Sequence, residues 1–128
     1  MRVDIIIIFY YTRFVGGNYL ETLKQKKDFQ KVFNCGKSIA SKYLVLYWNP
    51  NKLDNNRYGF SISKRIGKAV VRNKLKRRLK EIIRIRLDNI AYGYDIIIIA
   101  RKPVNSLGFS EIKNDLKKLY KRAGLIDN

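Results

Sequence analysis

Between Lys64 and Arg86 the chain places eleven Lys or Arg in 23 residues against a single acid, Glu81, while its apolar residues keep helical spacing. Val71, Leu75, Leu79, Ile82 and Ile83 form one coherent stripe on a helix expected from Ala69 to about Asn89. Such a segment must bury the stripe and turn its charge outward. Arg72, Lys76 and Lys80 follow one another at i, i+4 and i+8, flanked by Arg77 and Arg84. Like charges at that spacing destabilise an isolated helix by about 0.2–0.5 kcal/mol per pair. An ordinary solvated helix mixes signs to gain favourable pairs. This one does not, and an anionic partner would offset the repulsion.

The imbalance extends to the whole chain: 28 Lys plus Arg face 10 Asp plus Glu, a net charge of +18. With 128 residues, 46% of them hydrophobic, the chain makes one domain that buries roughly two-thirds of its unfolded surface. It is a folded protein whose self-repulsion calls for a polyanion, with nucleic acid ahead of an anionic membrane surface. The absence of His removes His-based acid–base catalysis, His metal ligands and Ser-His-Asp triads. Cys35 is alone, which excludes an internal disulfide and a Cys-rich zinc site and suits a reducing, cytoplasmic setting. The ten carboxylates are scattered, whereas a two-metal nuclease needs several converging on ions about 4 Å apart. The expectation is a binder of polyanions with no catalytic residue and no metal site of its own.

Residues 1–19 stand apart. Val3 to Tyr11 is an apolar run interrupted by Asp4, far short of the roughly 20 residues of a spanning helix. It reads as an added edge strand, a disordered extension or a segment outside the native product, with the last two preferred. Residues 20–124 form the expected domain and 125–128 a tail. A short helix is expected over Gln25–Cys35, with Phe29, Val32 and Phe33 on one face and Gly36 as its left-handed cap. Ser38–Ala40 is a candidate short strand, and Tyr43–Trp48 alternates like a longer one, Tyr43, Val45 and Tyr47 against Leu44, Leu46 and Trp48. Arg57–Ser63 is the next strand. Its Gly59, Ser61, Ser63 face is too small and polar for a core and would admit a backbone or a phosphate. Ile96–Ile99 is an unbroken β-branched run suited to a strand buried on both sides. Ser110 is the expected N-cap of a last helix carrying Ile112, Leu116, Leu119 and Tyr120 on one face. The order is α-β-β-β-α-β-α, an α+β two-layer sandwich.

Aromatic residues make up 12% of the chain, and aromatics beside Lys and Arg suit single-stranded nucleic acid, which stacks bases and tracks phosphates. Helix-turn-helix spacing, zinc fingers, RNP-like patterns and a GXXG loop between helices are missing. The run from Tyr58 to Glu81, YGFSISKRIGKAVVRNKLKRRLKE, closely resembles the arginine-asparagine-arginine motif of the protein subunit of bacterial ribonuclease P. Lys27–Phe33 with Gly36-Lys37-Ser38 resembles that family's first helix, and Ile96–Pro103 its last strand. The resemblance spans about Leu20 to Gly124. One departure stands in the motif: its second arginine is Lys74 here, which keeps the charge but loses the planar fork.

That resemblance implies a ribosomal-protein-like fold with a left-handed β-α-β crossover, against the right-handed default. It implies a protein cofactor to a catalytic RNA, in an enzyme that hydrolyses one phosphodiester bond to remove the 5′ leader of precursor tRNA. The RNA then supplies the active site and binds the Mg²⁺ ions. Partners are the ribonuclease P RNA and precursor tRNA, with no membrane and no obligate protein partner. Carried over, Arg65, Lys68, Arg72, Asn73, Lys74, Lys76, Arg77, Arg78 and Lys80 contact the catalytic RNA. Phe29, Phe33, Tyr47, Ser61 and Lys64 line a cleft for the single-stranded leader. The competing readings are a structural RNA-binding protein of ribosomal type and a membrane-surface protein, the latter disfavoured because the helix stripe is Val, Leu and Ile sized for a core.

Overall fold

In the computed structural model the chain runs through β1 (Ile7–Ile8), β2 (Glu21–Thr22), α1 (Lys26–Cys35), β3 (Lys37–Ala40), β4 (Leu44–Pro50) and β5 (Arg57–Ser61). It continues through α2 (Ala69–Glu81), β6 (Tyr94–Ala100) and α3 (Phe109–Ala123). The structure describes residues 7–8, 20–87 and 89–126. The strands form one mixed sheet in the order β1-β5-β6-β4-β3, with β2 also paired to β5. β6 is central: it runs antiparallel to β4 and parallel to β5, so β5, α2 and β6 make a crossover unit. Among the described residues no helix is long and apolar enough to cross a membrane.

Strand alternation divides the apolar residues between the two faces of the sheet. Leu44 and Leu46 of β4, Tyr58 and Phe60 of β5, and Ile96 and Ile98 of β6 point to one side. There they meet Leu75 and Leu79 of α2 and Ile112, Leu116, Leu119 and Tyr120 of α3. On the other side Ile97 packs with Leu23, Phe29 and Val32, and α1 supplies the cover. Ile96, Ile97 and Ile98 are therefore all fully buried, which is why three consecutive β-branched residues are tolerated in one strand. From α1 onward the element order matches the sequence reading; the short strand β2, ahead of α1, was not expected. The expected two layers become three, because α1 lies across the sheet from α2 and α3.

Several local expectations give way to packing. Gly36 is extended rather than left-handed; a Cβ there would fall 2.6 Å from the carbonyl oxygens of Val32 and Trp48, so it serves the close approach of β3 to β4. The second helix is α-helical only to Glu81. Ile82–Arg86 is a π-helical turn closed by the Leu87 N–H donating to the Ile82 carbonyl, and the wider turn lets adjacent Ile82 and Ile83 both face the core. Val71 is 42% exposed, so the buried stripe begins at Leu75. α3 starts one residue before Ser110: its N-cap is Gly108, whose N–H donates to Glu111 Oε1 at 3.0 Å.

Leu125 and Ile126, read as tail, are buried; the Leu125 N–H donates to the Tyr120 carbonyl and Ile126 bridges Ile90. Of the N-terminal extension only Ile7 and Ile8 are described, paired antiparallel with Ser61 and Phe60, the edge-strand reading for those two residues. The readings for the remainder of 1–19 and for 127–128 lie outside the described residues.

Candidate nucleic-acid interface

The basic segment starts where β5 leaves the sheet. A 3₁₀ turn over Lys64–Ile66 drives Ile66 into the core, and the Ile66 carbonyl accepts a 2.6 Å hydrogen bond from Asn105 Nδ2. Gly67 follows at φ +154°, a conformation open essentially to glycine alone, and a Cβ there would also press to 3.2 Å from Val71 Cβ. Arg72 Nε donates back to the Gly67 carbonyl at 3.1 Å, tying the first turn of α2 to the loop. No acid occupies that first turn, so the positive end of the helix dipole adds to the lysines and arginines around it.

Arg65, Lys68, Asn73, Lys74 and Arg77 are exposed, and Arg72 and Arg78 half-buried, forming one basic surface along the loop and helix. Lys76 and Lys80, expected within the RNA-contacting row, are only 6% and 5% exposed. Their burial disfavours the charged form: it lowers the Lys76 pKa, with Arg72 adding repulsion, and lowers that of Lys80 to about 8, with Arg84 adding repulsion. They lie on the flank of the helix next to Leu75 and Leu79, Lys76 still reaching the edge of the surface beside Asn73 and Arg77. Val70, 77% exposed, shares a shallow depression with Asn73, Lys76 and Arg77, an apolar element in the basic surface that charge counting does not find.

The second candidate site lies on the opposite face of the sheet. Registered pairing aligns Ser38, Tyr47, Ile97 and Gly59 in one row and Ala40, Val45, Ile99 and Ser61 in the next. α1 covers the first row. Phe29 is fully buried there, and a Cβ on Gly59 would fall 2.3 Å from its ring. The small Gly59 face thus admits a phenyl ring of the same chain rather than a phosphate. Phe33 and Tyr47 meet edge to face, centroids 4.9 Å apart and planes at 85°, and both keep part of their surface open. Beside them Val45 and Ile99 are half-buried and Ala40 exposed, so an apolar trough continues along the second row. Lys64 stands exposed beyond the end of β5.

Of the five residues assigned to the leader cleft, Phe33, Tyr47 and Lys64 are accessible. Phe29 and Ser61, the latter 2% exposed, are not, and belong to the support beneath the trough. Val45 and Ile99 were not singled out by sequence; the strand alternation that puts Val45 on the Tyr47 face was their signal.

The strands carrying the trough are fixed at one end by a charged network. Arg57 donates to Asp95 through Nε at 2.8 Å and through its terminal nitrogen at 2.7 Å; Asn51 Nδ2 donates to the same carboxylate at 2.9 Å, and Asp28 lies 4.0 Å from the guanidinium. The Asp95 hydrogen bond raises the Arg57 pKa further above its already high value. A bidentate Arg–carboxylate pair of this kind sets the parallel register of β5 on β6, in which Arg57 stands opposite Asp95.

The Ribonuclease P family model matches residues 19–124 of the chain. The ribonuclease P protein component of Caldanaerobacter subterraneus is 40% identical over 108 residues, covering 84% of this chain and 93% of that protein. That of Clostridioides difficile is 44% identical over 109 residues, covering 84% and 96%. In three dimensions the fold is similar to the RNase P protein of Staphylococcus aureus, with a TM-score of 0.77 at 36% identity over 83% of this chain and 97% of that one.

Proposed function

The chain belongs to the bacterial ribonuclease P protein family, and from that premise we propose how its two faces serve a ribonucleoprotein that processes tRNA. The exposed cations of the loop and α2, Arg65, Lys68, Lys74 and Arg77, with Asn73 and the half-buried Arg72 and Arg78, hold the catalytic RNA. Phosphate contacts of this kind position the two partners and neutralise the backbone, and so lower the Mg²⁺ needed to keep the RNA folded and active. The trough on the other face takes the single-stranded 5′ leader of precursor tRNA. Phe33 and Tyr47 offer faces and edges on which bases stack, and Lys64 meets a phosphate.

Hydrolysis itself is assigned to the RNA. The chain has no His, so no imidazole is available as a general base, and this reading leaves the chemistry and its Mg²⁺ to the RNA. The protein then acts through binding energy. The leader is held only while it is joined to the tRNA, so gripping it favours precursor over product and lets mature tRNA leave. The observation that carries this reading is the separation of the two surfaces by the sheet: one protein can touch both RNAs at once.

Cleavage of a precursor tRNA at low millimolar Mg²⁺ tests it, using the protein alone, its cognate ribonuclease P RNA alone, and both together. Activity confined to the mixture is the expected result. Activity of the protein alone would overturn the assignment of chemistry to the RNA, and a mixture no better than the RNA would favour a purely structural RNA-binding role.

A further inference from the structure

At the end of α2 remote from the basic loop, the π-helical turn opens a pocket of about 280 Å³ between the helix, β2 and the loop leading into β6. Its floor is apolar, from Ile83 and Leu87. Its walls are polar: the carboxylate of Glu21, which accepts a hydrogen bond from the Asn55 amide, the amide of Asn89 and the guanidinium of Arg84. At its rim stands Tyr92, its ring 75% exposed. Asn89 is held at φ +59°, a left-handed conformation that turns the chain sharply at the mouth.

Each feature has a structural explanation alone. Together they make an open slot with an aromatic ring at its rim, an apolar base, a carboxylate and amides that accept and donate, and a cation at the edge. That is the chemistry of a nucleotide taken out of its stack: ring against ring, amides on the base edge, Arg on the phosphate. We infer that this pocket receives one unpaired nucleotide of the catalytic RNA, its base against Tyr92 and its phosphate at Arg84. The inference rests on the reading that α2 docks on that RNA. The pocket continues the same helix, and Tyr58, Ile83 and Leu87 on its lining belong to the core on the α2 side of the sheet, away from Phe33 and Tyr47.

The test is the affinity of the full-length protein for its cognate ribonuclease P RNA across a salt series, for wild type, Tyr92→Ala, Tyr92→Phe, Arg84→Gln and, as a docking control, Arg77→Gln. Tyr92→Ala is expected to weaken binding by roughly 5- to 150-fold with the salt slope unchanged, since stacking releases no counterions. Tyr92→Phe keeps the ring and should bind like wild type. Arg84→Gln should reduce the slope by about 0.7–0.9. If Arg77→Gln weakens binding while Tyr92→Ala stays within about twofold of wild type, the pocket holds no RNA and the docking reading stands; a twofold change lies well below the stacking range. If Tyr92→Phe fails as Tyr92→Ala does, stacking is overturned. If neither Arg77→Gln nor Tyr92→Ala changes affinity, the docking reading falls and the pocket inference with it.

Discussion

Phe29 and Phe33 sit one turn apart on α1 and have different work. Phe29 is sealed between the helix and Gly59, whereas Phe33 reaches the open side and meets Tyr47. Phe29→Ala should therefore cost about 3–5 kcal/mol of folding stability, seen as a fall in the urea midpoint. Gly59→Ala should destabilise by about 1–3 kcal/mol, because its methyl group has nowhere to go but into the Phe29 ring. Phe33→Ala should leave the urea midpoint nearly unchanged and weaken holoenzyme affinity for precursor tRNA by about 1–3 kcal/mol, with mature tRNA unaffected. Equal losses for both tRNAs would remove Phe33 from the leader site.

α2 is an element with two kinds of cation. Those turned outward, Lys74 and Arg77 among them, should govern RNA affinity: Lys74→Gln combined with Arg77→Gln should lower the salt slope of binding by about 1.4–1.8. Lys80 acts on stability instead. Its folded pKa, lowered to about 8 by burial and by Arg84, lies below the value of 10.5 it returns to on unfolding. Above pH 8 the unfolded chain thus binds more protons than the folded one, and stability rises with pH over that interval. The urea midpoint of the free protein should increase between pH 7.5 and 9.5, and Lys80→Met should remove part of that increase; an identical rise in the variant would contradict the burial of a charged Lys80. The loop before α2 depends on a residue far away in sequence, Asn105, whose amide holds the Ile66 carbonyl. Asn105→Ala leaves that carbonyl without its partner and should loosen the presentation of Arg65 and Lys68.

At the scale of the molecule the net charge of +18 works against the free fold and for its complex. Raising NaCl from about 10 to 150 mM shortens the Debye length from roughly 30 to 8 Å. The same change should raise the Tm of the free protein, by screening self-repulsion, and lower its affinity for the catalytic RNA, by weakening counterion release. Opposite signs in calorimetry and RNA binding identify the charge as functional rather than structural. A Tm that falls with salt would show that local ion pairs such as Arg57–Asp95 outweigh the global repulsion.

The sequence by itself determined the element order, the basic helix, the doubly buried strand at Ile96–Ile98 and the family, because periodicity, turn residues and a contiguous motif are local properties of the chain. It also placed Phe29, Val32 and Phe33 on one helix face, yet could not say which of them reaches solvent. Only the tertiary structure decided that, by setting α1 across the sheet from α2 and α3 and lodging Phe29 on Gly59. It likewise left Lys76 and Lys80 little exposed surface, replaced a left-handed cap at Gly36 with a close strand approach, and drew Leu125 and Ile126 into the core. The physical reason is common to all of these: periodicity specifies which residues share a face, while burial is set by the partner that arrives on that face from elsewhere in the chain.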